Sequence, residues 1–504
     1  MNLRGFLKYS VLVSALMLPA VSCKQFLDVN TDPNAVKDAP IEQLFTSATT
    51  SLGFFAGSDL QRYSALLTQQ YSGQGAGAIT QTQEYERYNI AGSDVNNVWN
   101  LLYSTILSDL ELVIQKAAKD NSPNYAGCAK IMKAYAYSLI VDAWGNAPYS
   151  EALKFTENTK PKFDDGTAIY PALIAMIDEG IADVKNTVSV KQPGTNSTIY
   201  TGAWLASKSK WEAFANVLKM RLWLHTSKVD KANAVSKIVA LSGGTVMTSI
   251  ADNFQMPFVN VARQQNPIHQ FELDRANHIF ANATIVDMMN TKVDPRRPRY
   301  FTASPLFSGQ YKGAKCGDAS PNQKYSRPHI FLRGDTTSTA TALADGSIAF
   351  NAYGYNGTAP TRMMTYAELQ FIRAEAAVLG GAAIGGIAAD SFFRSGIRAS
   401  MSQAGVTAAA AEAYINTGTN GTLTGTESAM VKKIMEEKFV ANFGVVMEPW
   451  SDWRRTGFPT IAAPVNALVP TTPRSLFYPQ SEIDLNPNAP KQKADMTVRV
   501  FWDK

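Results

Sequence analysis

The 504-residue sequence contains few cysteines and histidines, and this scarcity limits the sites that it can build. There are three cysteines and four histidines. Cys128 and Cys316 are far apart in the sequence and form either one disulfide or two free thiols, so they provide no disulfide framework. The sequence has no H-E-x-x-H motif and no Cys-x-x-Cys pair, which excludes the common zinc motifs. We therefore predict no metal ion and no other cofactor.

An excess of charge of one sign is also lacking. Lys and Arg together number 47 and Asp and Glu 42, which gives a net charge of +5. Loss of Arg4 and Lys8 with an N-terminal signal would bring the balance closer to zero. Proteins that bind nucleic acid usually carry a basic patch, and this sequence has no block of Lys and Arg interleaved with aromatic residues. We therefore expect no nucleic-acid partner.

Long apolar runs are missing as well, since no stretch approaches the ~20 apolar residues of a transmembrane helix. Near the N-terminus, Arg4 and Lys8 precede the short apolar run 11–20, which is typical of a secretory signal. The run ends in Ala20-Val21-Ser22-Cys23, which resembles a bacterial lipobox. We therefore predict a lipoprotein signal peptide over 1–22 and a tether over 23–40. Cys23 is the predicted attachment residue for lipid, including palmitate, which would anchor the protein to the membrane.

Apolar residues recur every three or four positions through most of the chain, which predicts a mainly α protein. Only short pieces, such as Ile330 to Leu332 and Thr497 to Phe501, alternate like strands. Helix-rich blocks flank a middle region, about 231–360, that is rich in Gly, Asn, Pro, Ser and Thr. Because no linker divides the chain, we predict a single domain over 41–504. Its expected architecture is a tetratricopeptide-like helical-repeat scaffold with a loop-rich insertion.

Polar residues within the helical patterns have structural interpretations. His225 continues the apolar face of the helix predicted over 211–222, so we predict a core histidine. Arg454 and Arg455 lie beside Asp452 and Glu448, and we predict that they form ion pairs between helices rather than a ligand clamp.

Motifs for catalysis are not found. The phosphate-binding pattern G-x-x-x-x-G-K-[ST] and the nucleophile pattern G-x-S-x-G are both missing. Neighbouring acids such as Asp164-Asp165 cannot act as a glycosidase pair, because that chemistry needs carboxylates held across a cleft roughly 5 to 10 Å apart. We predict no catalytic residues and expect that the protein is not an enzyme.

Several motifs follow one another in an order that resembles the SusD/RagB family of nutrient-binding outer-membrane lipoproteins. The first, at 142–153, is DAWGNAPYSEAL, in which Gly145 can end a helix and Pro148 prevents its continuation. The others are WEAFANVLKMRL at 211–222, DPRR at 294–297, YAELQFIRAE at 366–375, ADSFFRSGIRASM at 389–401, EEKF at 436–439, EPWSDWRRTGFP at 448–459, PR at 473–474 and YPQSE at 478–482. The resemblance covers nearly the whole chain.

The resemblance implies a SusD-like fold, a surface-exposed position on the cell outer membrane, and association with a SusC-type TonB-dependent transporter. It also implies capture of a nutrient oligomer, either an oligosaccharide or an oligopeptide, and its delivery to that transporter. The alternative hypothesis is a lipid-anchored helical-repeat adaptor in outer-membrane assembly. An adaptor would not need aromatic residues in a loop-rich region.

A sugar-binding site needs an exposed aromatic surface with amide or hydroxyl donors beside it. Two loop clusters have this composition, and we predict that at least one of them forms the ligand wall. The first is Tyr71 with Gln69, Gln70 and Gln74, continuing to Tyr85 and Tyr88. The second is Tyr353-Gly354-Tyr355-Asn356. For any single tyrosine the competing interpretation is a ring that packs its loop onto the scaffold.

Overall fold

Helices dominate the structure, a computed structural model that describes residues 39–73, 79–307, 309–318, 320–338 and 353–504. The mainly α fold class is confirmed. Residues 41–504 form one compact unit. The predicted signal peptide and Cys23 lie outside the described residues, as does Gln74.

The described α-helices are α1 (Ile41–Phe55), α2 (Asp59–Leu67), α3 (Gln81–Glu86), α4 (Asn96–Asn100), α5 (Ser108–Lys119), α6 (Pro123–Trp144), α7 (Gly166–Lys185), α8 (Trp204–His225), α9 (Lys231–Ser242), α10 (Pro267–Asp274), α11 (Ala283–Thr291), α12 (Arg297–Tyr300), α13 (Ile330–Arg333), α14 (Tyr366–Gly380), α15 (Ala389–Gln403), α16 (Ala408–Asn416), α17 (Glu427–Ala441), α18 (Glu448–Thr456) and α19 (Gln480–Leu485). A π-helix, Leu101–Leu107, joins α4 to α5. The strands are β1 (Tyr71–Ser72), β2 (Ala147–Pro148), β3 (Phe163–Asp164), β4 (Phe254–Met256), β5 (Phe280–Ala281) and β6 (Thr361–Met364).

Consecutive long helices pack side by side and build the tetratricopeptide-like scaffold. Helix α5 packs on α6, α6 on α7, α7 on α8 and α8 on α9. The series continues through α14, which packs on both α9 and α15. Each helix buries an apolar face against its neighbours, because that burial supplies most of the stability of helices in water.

The end of α6 is set by the glycine that the sequence motif predicts. Gly145 follows the last helical residue, Trp144, and has φ +87°, a conformation that strains other residues. Trp144 is buried, and its indole N–H donates to the carbonyl of Phe477 over 2.9 Å. Tyr149 is half-buried, with its ring edge-on to Tyr137.

Buried ion pairs connect helices that are distant in sequence. Arg455 of α18 pairs with Glu375 of α14, as predicted. Lys438 of α17 lies 2.7 Å from Glu448 and 2.8 Å from Asp452, both on α18. Arg454 differs from the prediction: it makes no ion pair with a described residue and donates instead to backbone carbonyls, including that of Asp142.

The same network continues into α8. Arg221 donates through Nε and Nη2 to Glu368 of α14, and its Nε lies 3.3 Å from Glu448. His225, a core histidine as predicted, has Nε2 3.1 Å from Glu448 Oε2 and Nδ1 3.4 Å from Asp142 Oδ2. These carboxylates and cations neutralise one another in the protein interior. A buried charge needs such a partner because it has lost its hydration.

The middle region contains short helices and paired strands in addition to loops. The described part of the chain has three two-stranded antiparallel sheets, β1 with β5, β2 with β3 and β4 with β6. The strand-like reading of Ile330 to Leu332 is wrong, because these residues form the short helix α13. No strand is assigned within Thr497–Phe501 either. Cys128 and Cys316 are free thiols.

Candidate ligand-binding site

The first predicted tyrosine cluster is buried. Tyr71 in β1 has no exposed surface; its hydroxyl accepts from Gln61 Nε2 over 3.3 Å, and its ring lies edge-on to Phe443. Gln70 is buried too, and its amide donates to the carbonyl of Phe439 over 2.9 Å. The prediction that this segment presents an exposed ring is therefore wrong for Tyr71, which packs β1 onto the helical scaffold.

Tyr85 and Tyr88 are also packing residues. The ring of Tyr85 lies edge-on to Tyr63, with ring centroids 4.9 Å apart. The Tyr88 hydroxyl is 3.0 Å from the hydroxyl of Thr472. Burial raises the pKa of both phenols to about 12. Neither ring is available as the exposed surface that the sequence suggested.

The second predicted cluster does reach the surface. Tyr353 is half-buried, and its ring centroid lies 5.0 Å from that of His329 and 6.3 Å from that of Tyr355. Tyr355 is 7% exposed and its hydroxyl is 2.6 Å from His329 Nδ1. Tyr355 is thus mainly a packing residue, whereas Tyr353 has exposed surface.

Tyr311 interacts electrostatically with Tyr353. Burial raises the pKa of Tyr311, Arg297 partly lowers it, and the charge of Tyr353 adds to the rise. Tyr311 and His329 are both half-buried. We call the exposed part of this cluster, formed by Tyr311, His329 and Tyr353, the aromatic wall. Neither Tyr311 nor His329 was predicted as a site residue, because nothing in their local sequence distinguishes them from other loop residues.

Backbone pairing holds the wall in place. The N–H of Thr337 donates to the carbonyl of Gly354 over 2.9 Å, and the N–H of Asn356 donates to the carbonyl of Asp335 over 3.0 Å. Gly334 allows the close approach of these segments: its φ is +83°, and a Cβ there would lie 2.2 Å from Oδ1 of Asn356. Only glycine combines that conformation with so little space.

Cations lie beneath the wall. The Arg333 guanidinium stacks on the Tyr355 ring, 4.0 Å from its centroid, and lies 3.8 Å from Glu272. Glu272 also pairs with Arg327. Burial, together with Arg333 and Arg299, lowers the pKa of His329 to about 4, so this imidazole is neutral at neutral pH and can both donate and accept a hydrogen bond. Aromatic faces therefore stand beside polar donors and acceptors, as carbohydrate recognition requires.

A cavity of about 190 Å³ lies at the paired segments that support the wall. Gly334, Asp335 and Thr358 line it, and they belong to the two paired segments that carry His329 and Tyr355. The side chains of Arg299, Arg362 and Gln403 also line it. Arg362 belongs to β6, Arg299 to the short helix α12, and Gln403 is the last residue of α15. No local sequence pattern could have grouped residues from three such distant elements.

A larger cavity, of about 560 Å³, lies elsewhere, beside Gln69 of the first predicted cluster. Its lining includes Glu86, Asn282, Lys315 and Cys316, and none of the described residues that line it is aromatic. The Gln69 amide is occupied by protein groups, since Nε2 donates to the carbonyl of Ala462 and Oε1 accepts from Thr284. The aromatic wall is therefore the better match to the predicted site.

Two further features bear on function. Among the described residues, no three or more His, Cys, Asp or Glu side chains are grouped so that they could hold a metal ion. No described helix has the length and apolar character needed to cross a membrane.

Comparisons with known proteins identify relatives of the whole domain. A SusD-like family model, described as starch-binding and associating with the outer membrane, matches residues 33–479. Among solved structures, a chitin-binding protein aligns with 22% identity and a TM-score of 0.75, covering 92% of this chain and 99% of that one. A chitin-binding SusD homologue from Flavobacterium johnsoniae aligns with 21% identity and a TM-score of 0.75, covering 92% and 98%. A SusD homologue from Bacteroides uniformis aligns with 22% identity and a TM-score of 0.72, covering 93% of this chain and 100% of that one.

The identities to these structures are low, so the likeness establishes a common fold. In sequence, no curated protein matches the chain. The family model spans most of the described residues, including β1, α13 and the paired segments of the aromatic wall.

Proposed function

Since the chain belongs to the SusD-like family of starch-binding proteins that associate with the outer membrane, we propose that it captures an oligosaccharide at the cell surface through the aromatic wall. The observation that carries this proposal is Tyr353, which is half-buried and whose ring centroid lies 5.0 Å from that of His329. A sugar ring can stack its C–H face on such a ring while its hydroxyls bond to neighbouring polar groups.

An oligosaccharide fits this surface better than an oligopeptide. A peptide in an extended conformation is commonly bound by main-chain hydrogen bonds to an open strand edge. Here the backbone of Thr337 and Asn356 is already paired across the two segments that support the wall. The chitin-binding activity named for two neighbours in structure also supports a glycan. An adaptor in membrane assembly would not need exposed aromatic rings.

The second part of the proposal concerns delivery. We infer that the protein is a binding protein without catalytic activity that hands its glycan to a SusC-type TonB-dependent transporter, and that lipid on Cys23 anchors it to the outer membrane. Purification in mild detergent should recover the transporter with this chain. The intact mass of the recovered chain should show acyl groups on Cys23. Recovery of this chain alone from cells that express the transporter would contradict the partnership, and an unmodified Cys23 would contradict the anchor.

Binding of the glycan is tested by calorimetry with starch-derived and chitin-derived oligosaccharides and with peptides of similar length. Replacing Tyr353 by Ala removes one stacking ring, which contributes about 0.5–1.5 kcal/mol, so affinity should fall roughly 2- to 10-fold. Tyr149→Ala is the matched control, since Tyr149 is half-buried and packs on Tyr137 of α6. Equal affinity in the wild type and the Tyr353 variant would remove the wall from the site. Tight binding of peptides alone would overturn the choice of glycan.

A further inference from the structure

Arg362 of β6 is a buried cation that pairs with no carboxylate of the described residues. Its side chain lines the 190 Å³ cavity, and the residue is 7% exposed. Nη1 donates to the carbonyl of Phe331 over 3.1 Å and to that of Pro360 over 3.5 Å, while the guanidinium stacks on the Phe331 ring. Nε has no hydrogen-bond partner in the part of the chain that the structure describes. Burial lowers the pKa of Arg362 to about 10, so the group remains charged at neutral pH.

Other buried arginines of the described chain are neutralised differently. Carboxylates lie within 4.0 Å of Arg221, Arg296, Arg327, Arg333 and Arg455. Arg454 has no such pair, but it donates to three carbonyls and one hydroxyl, and Asp142 and Asp503 act on its charge. Within the described residues Arg362 is thus the buried arginine that has neither a carboxylate nor a full set of acceptors. Leaving a buried charge uncompensated is costly.

Two more side chains with hydrogen-bond donors line the same cavity. Gln403 Oε1 accepts from Asn253, but its Nε2 is buried and has no partner among the described residues. Arg299 is half-buried; its Nε donates to the carbonyl of Ala404 over 2.9 Å, and no carboxylate of the described chain lies within 4.0 Å of it. Asp335 also lines the cavity, but it is exposed and pairs with neither arginine. The cavity therefore offers two guanidinium groups and an amide donor, with one exposed carboxylate at its lining.

We propose that this cavity binds the acidic group of a charged glycan, a carboxylate or a sulfate ester, while the aromatic wall holds the sugar rings. The inference rests on the proposed function and narrows its ligand to acidic oligosaccharides. A volume of about 190 Å³ suits one charged substituent or one sugar residue rather than a whole oligomer. Guanidinium groups bind carboxylate and sulfate oxygens through short, charge-assisted hydrogen bonds.

The test measures affinity for three oligosaccharide series of equal length: neutral, uronic-acid-containing and sulfated. The wild-type protein should bind one acidic series roughly 10-fold more tightly than the neutral one, and the better acidic series identifies the group. Arg299→Gln and Arg362→Gln should each lower affinity for that series toward the level of the neutral one. Arg362→Lys, which keeps the charge, should retain part of the preference.

Arg373→Gln is the matched control. Arg373 is half-buried on α14, donates to the carbonyl of Ser242 over 2.9 Å, and does not line the cavity. Circular dichroism and thermal unfolding check that each variant folds. If Arg362→Gln does not fold, Arg299→Gln carries the test. An equal affinity for neutral and acidic series, with binding still dependent on Tyr353, would overturn this inference and leave the proposed function standing. Failure of every glycan to bind would overturn both, and preferential binding of acidic peptides would overturn the glycan assignment.

Discussion

The charge on His225 should make the stability of the scaffold depend on pH. Burial alone lowers the pKa of this imidazole, but Asp142 and Glu448 outweigh burial and raise it from 6.5 to about 9. The folded state therefore holds the proton more tightly than the unfolded state does. The stabilisation is fully present below about pH 6.5 and is lost as the pH rises through about 9. At ~1.4 kcal/mol per pKa unit, the loss amounts to roughly 3 kcal/mol.

The measurement compares the wild type with His225→Gln by urea unfolding at about pH 6 and about pH 9.5. The comparison is needed because Lys493 acts in the opposite direction. Burial lowers the pKa of Lys493 to about 7, so its contribution to stability rises with pH above that value. Lys493 is present in both proteins, and its effect cancels in the difference between them.

The stability advantage of the wild type over His225→Gln should shrink by roughly 3 kcal/mol between the two pH values. A difference that stays constant with pH would show that His225 is neutral in the folded protein. The carboxylates of Asp142 and Glu448 would then have to be compensated by other groups, and the reasoning about the network would be refuted.

Two further substitutions test the scaffold and the wall. Arg455→Ala leaves the buried Glu375 without its guanidinium and should lower the free energy of unfolding by about 3–5 kcal/mol in urea titrations. The control is Arg398→Ala, which removes an exposed ion pair. A similar loss of stability in both variants would contradict the role of burial. Gly334→Ala should destabilise the protein by more than ~1 kcal/mol and weaken oligosaccharide binding in calorimetry. The control is Gly386→Ala, because Gly386 also has a positive φ but has open space around it. Unchanged oligosaccharide binding by Gly334→Ala would show that the wall tolerates displacement.

The helices were predictable because their signal is local. The apolar positions of 211–222 recur with the helical period, and the structure places this segment inside α8. His225 continues the same face, so its burial followed from the same pattern. Ile330 to Leu332 lack this advantage, because three apolar residues fit a strand or a single helical turn equally well.

The site was predictable only in part, because exposure depends on contacts between distant segments. Tyr71 and Tyr353 both lie next to glycine or glutamine in the sequence. Phe443, far along the chain, covers the ring of Tyr71, whereas Tyr353 keeps exposed surface. Arg362 and Gln403 are brought to one cavity by β6 and the end of α15, and no spacing in the sequence records that meeting.

The buried ion pairs also bear on how the chain folds. Arg221 and His225 lie near the middle of the sequence, whereas their shared partner Glu448 belongs to a helix close to the C-terminus. Until that helix is available, packing α8 into the scaffold would bury cations that lack part of their counter-charge. Closure of the helical array should therefore be delayed until nearly the whole chain exists, which keeps earlier segments open and favours a single late step of assembly. A chain that stops before α18 should remain loosely packed and be removed by proteases.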